Sequence, residues 1–158
     1  MTRDRDTEGR PRNARPRDAL GRPLGRGAAG EPRVADDLVL APAATLAEAQ
    51  RLIDADRPFH AHEVLEARWK ASPDAERDLW QGLAQIAVGI THAQRGNALG
   101  AIALLRRGAD RVRPYLADSA HGVDTAAAVR AAEDLADRIE RLGLTDLSPS
   151  GLRLRLFA

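Results

Sequence analysis

Apolar residues recur at helical spacing through most of the chain after residue 45, and one stretch is apolar on nearly every side. That stretch is Leu79 to Gln94, LWQGLAQIAVGITHAQ, which carries no formal charge in a chain that is 30% charged. A helix without a polar face belongs in the middle of a bundle. It is short of the roughly 20 apolar residues that cross a bilayer, and its polar stripe suits protein surroundings. Leu79, Leu83, Ile86 and Ile90 form one row of this helix. Gln81, Gln85, Val88 and His92 form a second row. The acidic residues Asp74, Glu76 and Asp78 complement the helix dipole and place the start just after Ser72-Pro73. Gly82 and Gly89 sit seven apart inside the helix. Each costs roughly 1 kcal/mol relative to Ala, which points to close approach of a neighbouring helix.

The flanking elements follow from the same periodicity. Thr45 with Glu48 three residues on reads as a capping box, predicting a first helix over about 45–55. Pro58 suits the first turn of a second helix, about 58–71. At about 100° per residue, Phe59, His62, Leu65, Glu66 and Trp69 share one arc, which places His62 and Glu66 on its buried side. Glu63 lies at the border of that arc, and His60 points away towards solvent. Gly96-Asn97 makes a turn, and a fourth helix over about 98–112 turns Leu99, Ile102, Leu105 and Val112 inward. A fifth, about 123–142, turns Val129, Leu135, Ile139 and Leu142 inward and ends at Gly143. Trp69 and Trp80 read as core or core-edge anchors, and Arg106 and Arg107 as a solvated face. The last residues, LSPSGLRLRLFA, alternate Leu with Arg: an extended segment along a groove, or an edge for another chain. The predicted fold is all-α, a four- to five-helix bundle with helices two and three as an antiparallel hairpin at its centre.

Composition changes the picture mainly at the N-terminus. Residues 1–33 hold nine Arg against five Asp and Glu, with five Gly, four Pro and few large apolar side chains. Such a segment cannot bury enough surface to offset its ordering entropy. The chain therefore divides into a disordered Arg/Pro/Gly-rich arm (1–33), a helical bundle domain (34–143) and a C-terminal tail (144–158). The arm is a flexible, solubilising tail, with weak contact to nucleic-acid phosphates as its alternative. No aromatic residue is interleaved with its arginines, so base stacking has no support. From residue 34 onward the charge is −3, fifteen basic against eighteen acidic residues. That gives no electrostatic reason to bind nucleic acid or an anionic membrane. Cysteine is absent, which excludes disulfides and thiolate metal sites. With no apolar N-terminal run either, the expected location is the cytoplasm.

Candidate chemistry centres on His62, Glu63, Glu66, Trp69, Gln81, Gln85 and His92. An antiparallel hairpin would bring the His62/Glu66 face onto the Gln81/Gln85/His92 stripe. Buried polar groups must find partners there, so a structural network is one reading. The other is a site: two histidines and one or two carboxylates suit a divalent metal such as Zn, Mn or Fe. His62, Glu66 and His92 are the ligand candidates, with Glu63 or Glu66 as base. The zincin spacing of two histidines four apart is not met, and no motif demands a cofactor.

The residues Phe59, His62, Glu63, Glu66 and Trp69, then Gln81, Gly82, Gln85, His92, Gly96, Asn97 and Gly100, form a pattern. It runs Phe-x-x-His-Glu-x-x-Glu-x-x-Trp, then Gln-Gly-Leu-x-Gln, then a His before Gly-Asn. In this the chain resembles the domain of unknown function 309 family, small all-helical proteins of bacteria and plastids, over about residues 45–112. The resemblance implies a helical fold and brings no activity with it. The expectation is a non-enzymatic helical module, binding a protein or small ligand or forming a homo-oligomer. A metal-dependent or general acid/base hydrolase using the same cluster is the alternative.

Overall fold

The protein is described here by a computed structural model that covers residues 39–116, 123–145 and 147–156. The arm over 1–33 and the loop containing His121 lie outside the described residues. Among the described residues there are five α-helices: α1 (Pro42–Asp54), α2 (Pro58–Ala71), α3 (Asp74–Gln94), α4 (Ala98–Val112) and α5 (Thr125–Leu142). Each helix packs on the next in chain order, and α3 packs on both α2 and α4, most extensively on α4. The all-α bundle with α2 and α3 as its central hairpin is thus the observed fold. The Ser72-Pro73 connection is too short for anything but antiparallel neighbours.

Local chemistry sets the helix ends, with one departure from expectation. Helix α1 starts at Pro42, whose fixed φ favours the first helical position. Thr45 therefore lies inside the helix and is not its cap. Its buried hydroxyl donates to the carbonyls of Leu40 and Ala41 at 3.1 and 3.0 Å, and Glu48 pairs with Arg51. Asp56 turns the chain between α1 and α2 with φ 61°, a left-handed conformation that Asp tolerates. Gln94 pins this turn by donating to the Asp56 carbonyl at 2.9 Å. Asn97 caps α4 by accepting from the Gly100 amide, and Asp124 caps α5 by accepting from Ala127. Beyond α4 a short 3₁₀ turn, Arg113–Tyr115, lets the Tyr115 hydroxyl donate to the Ala75 carbonyl at 2.7 Å.

The core runs the length of the bundle. Leu79, Leu83, Ile86 and Ile90 of α3 are fully or almost fully buried, and so is Trp80. Leu105, Ala109 and Val112 of α4 and Val129, Leu135 and Ile139 of α5 close on them. Two expected core residues are surface residues instead: Leu99 is 84% and Leu142 55% exposed. Leu99 lies across α4 from Leu105, and Leu142 is the last residue of α5. Arg106 of α4 binds Asp137 and Glu140 of α5, and Arg113, in the turn after α4, binds Glu133 of α5.

The C-terminal segment joins this body. Leu152, Leu154 and Leu156 are buried while Arg153 and Arg155 face solvent, the two-residue alternation of an extended chain. Buried Gln50 of α1 holds it: its Nε2 donates to the Leu154 carbonyl and its Oε1 accepts from the Leu156 amide, both at 2.8 Å. Arg153 adds a two-pronged ion pair with Asp56 at 3.0 Å, and Arg138 of α5 donates to the Gly151 carbonyl. The segment therefore lies in a groove, touching the first helix and the last.

Candidate functional site

The buried side of α2 is not the expected one. Pro58, His60, Ala61, Val64, Leu65 and Ala67 are buried, and His60, expected in solvent, is 2% exposed. Phe59, His62, Glu63, Glu66 and Trp69 lie at the border, half-buried. The physical reason is that α2 is covered by α1 and α3. Its small residues Ala61 and Ala67 permit close approach, so they take the inside and the bulky aromatics take the rim.

On this rim, spacing of three and four residues along the helix puts side chains in reach of one another. His62 Nε2 lies 3.2 Å from one oxygen of Glu66, and Lys70 Nζ lies 3.2 Å from the other. The Phe59 ring stacks tilted on His62, centroids 5.5 Å apart, and meets His60 edge-on at 5.9 Å. The hydrogen bond from His62 holds the Glu66 carboxyl down at about 2, helped by the charges of His62 and Lys70 and opposed by its partial burial. His62 Nδ1 is buried and makes no hydrogen bond among the described residues. Trp69 packs its ring against the core from the same face.

The low value has a consequence for acid stability. The unfolded carboxyl takes up a proton near its ordinary 4.5, and the folded one not until about 2. The unfolded chain thus binds more protons in that window, so the contribution is full above 4.5 and fades as pH falls towards 2. Glu66→Gln is expected to flatten the acid-unfolding profile between those values, followed by circular dichroism. A profile with an unchanged slope would mean that the pair does not hold the carboxylate.

The α3 stripe makes a separate set of contacts. Gln81 Oε1 accepts from Arg111 Nη1 of α4 at 2.9 Å, and the same guanidinium holds Asp78. Gln85 is half-buried, and its Oε1 has no hydrogen-bond partner among the described residues. Asn97 Nδ2 lies 3.0 Å from His92 Nδ1. Since the Asn97 oxygen already accepts from Gly100, its amide must be the donor, which makes His92 a neutral acceptor carrying its proton on Nε2. Burial pushes the His92 pKa down, and Arg95 acts in the same sense. The expected single cluster is thus two arrangements: His62–Glu66–Lys70 on α2, and Gln81 and His92 tied to α4 and its cap. Among the described residues, no group of three or more His, Asp or Glu is placed to hold a metal ion. The proposed ligands His62 and Glu66 pair with each other, while His92 is engaged by Asn97.

Lys70 and Arg111 complete these arrangements, and the motif includes neither of them. Lys70 had a usable signal, since a Glu four residues before a Lys favours pairing on a helix. Arg111 had none, because its partner lies on another helix.

The family model of the domain of unknown function DUF309 matches residues 46–104. The matched segment starts in α1, contains all of α2 and α3, and ends inside α4, so it holds the whole hairpin with the His62–Glu66–Lys70 row and the His92–Asn97 pair, while Arg111, the partner of Gln81, lies beyond it. The segment that carries the motif is therefore DUF309-like, and α5 and the C-terminal segment lie beyond it. Searches of curated proteins and of solved structures gave no match. No helix among the described residues is long and apolar enough to cross a membrane.

Proposed function

We propose that this is a non-enzymatic helical module, acting in the cytoplasm, that binds a protein partner through the outer face of α2. The observation that carries the reading is the row Phe59, His62, Glu66, Trp69 and Lys70. It combines half-buried aromatic rings with a carboxylate kept ionised and oriented by two neighbours. Aromatic anchors beside charges that are already fixed lower the entropy lost on association. The convex face of a helix suits a protein surface better than a small molecule. The hydrolase alternative is less well supported, because a carboxylate held near 2 is a weak general base at neutral pH.

The test pairs capture with stability. Tagged full-length protein and its Glu66→Lys and Trp69→Ala variants serve as baits in the source cells. A partner retained by the parent and lost by both variants, with both variants still cooperatively folded by circular dichroism at the assay temperature, is the expected result. Retention by both variants would reject this face. Recovery of the chain itself as the partner would make the face a homo-oligomer interface.

A further inference from the structure

A second feature lies outside the family-matched segment and has no part in the α2 face. Between α5 and the C-terminal segment runs an open groove of about 650 Å³, lined by Arg138, Arg141, Arg153 and Arg155 with Asp134 and Asp137 over Ala131 and Leu154. That volume is within the range of small-ligand sites. Three of its charged side chains are already committed. Arg138 donates to the Gly151 carbonyl, Arg153 is paired with Asp56, and Asp137 accepts from Arg106. Arg141, Arg155 and Asp134 make no hydrogen bond or ion pair among the described residues, yet all three line the groove. Its four guanidinium groups against two carboxylates leave an excess of two positive charges. Arg141 also complements the C-terminal end of the α5 dipole. That accounts for Arg141 alone; Arg155 reaches the same groove from a different segment.

We propose that this groove binds a small hydroxylated phosphate ester, with Arg141 and Arg155 on the phosphate and Asp134 accepting from a hydroxyl. A phosphate dianion matches the excess charge, and guanidinium forks suit its oxygens. An uncommitted carboxylate beside the arginines would repel a bare polyanion but accepts a hydrogen bond from a hydroxyl. The committed Arg138 and Arg153 hold the segment that forms one wall, so ligand and segment docking reinforce each other.

Isothermal titration of the full-length protein decides it, with ribose 5-phosphate, inorganic phosphate, ribose and a short RNA oligonucleotide as probes. Ribose 5-phosphate is expected to bind more tightly than inorganic phosphate, and ribose not at all. Arg141→Ala with Arg155→Ala should weaken binding at least about tenfold. Arg107→Ala with Arg130→Ala removes the same charge at positions that do not line the groove and should leave the affinity unchanged. Asp134→Asn should reduce the preference for the ester over inorganic phosphate, and melting curves of all variants should match the parent. Absence of saturable ribose 5-phosphate binding would overturn the proposal. So would equal weakening by the two arginine pairs, or an ester preference that survives Asp134→Asn. Tighter, Arg141/Arg155-dependent binding of the RNA would replace the small ester with a nucleic-acid backbone.

Discussion

Gly108→Ala is expected to destabilise the fold by about 2 kcal/mol, although alanine is the better helix former. A Cβ on Gly108 would stand 2.7 Å from the Gly82 carbonyl oxygen and 2.7 Å from Ile86 Cγ1. The reciprocal substitution meets the same wall, since a Cβ on Gly82 would lie 2.9 Å from the Gly108 carbonyl and 2.7 Å from Val112 Cγ2. Backbone atoms cannot rotate aside, so α3 and α4 must separate along their contact, the most extensive between the described helices. Overpacking of this kind costs roughly 1–3 kcal/mol, and the gain in helix propensity offsets at most about 1 kcal/mol. Two further features sharpen the test. Gly82→Ala should behave alike, and the double variant should cost less than the sum, because both relieve themselves by the same separation. Urea unfolding measures each value. A Gly108→Ala protein as stable as the parent, or more so, would mean that the helices do not approach this closely.

Gln50→Leu is expected to cost about 3 kcal/mol and to release the C-terminal segment. Gln50 is 4% exposed, and its amide satisfies the Leu154 carbonyl and the Leu156 amide 104 and 106 residues away. Leucine of similar size keeps the volume but strands two buried backbone groups, each worth about 1–3 kcal/mol when unpaired. If the segment detaches instead, Leu154 and Leu156 lose their burial at about 1.5–3 kcal/mol each. Either route weakens the protein. They separate by limited proteolysis: detachment brings cleavage near Arg153 and Arg155 under conditions where the parent is protected. Unchanged stability together with unchanged protection would contradict the docking of this segment on α1.

The candidate site was legible only in part. The i,i+4 pairing of His62 with Glu66 was readable from spacing alone, since one helix supplies both groups. The side of α2 that is buried was not. Large residues at helical spacing pointed to Phe59 and Trp69, whereas two neighbouring helices bury His60, Ala61 and Ala67 as well. A small residue carries little hydrophobic signal, yet it allows the closest approach and so decides the inward face. Helical spacing places Gln81, Gln85 and His92 in one row of α3, but their partners Arg111 and Asn97 depend on how α4 lies against it.

By itself, the sequence determined the elements. Periodicity, prolines, glycines and Asn97 set five helices close to their observed limits, and the uncharged run from Leu79 to Gln94 identified the central one. These signals are local, because a helix closes its hydrogen bonds within four residues. Only the tertiary structure decided which faces meet. The seating of Gly82 against Gly108, the capture of the C-terminal segment by Gln50 and Asp56, and the convergence of arginines from α5 and that segment join residues distant in sequence. Their geometry depends on the packing of whole helices, which no local pattern encodes.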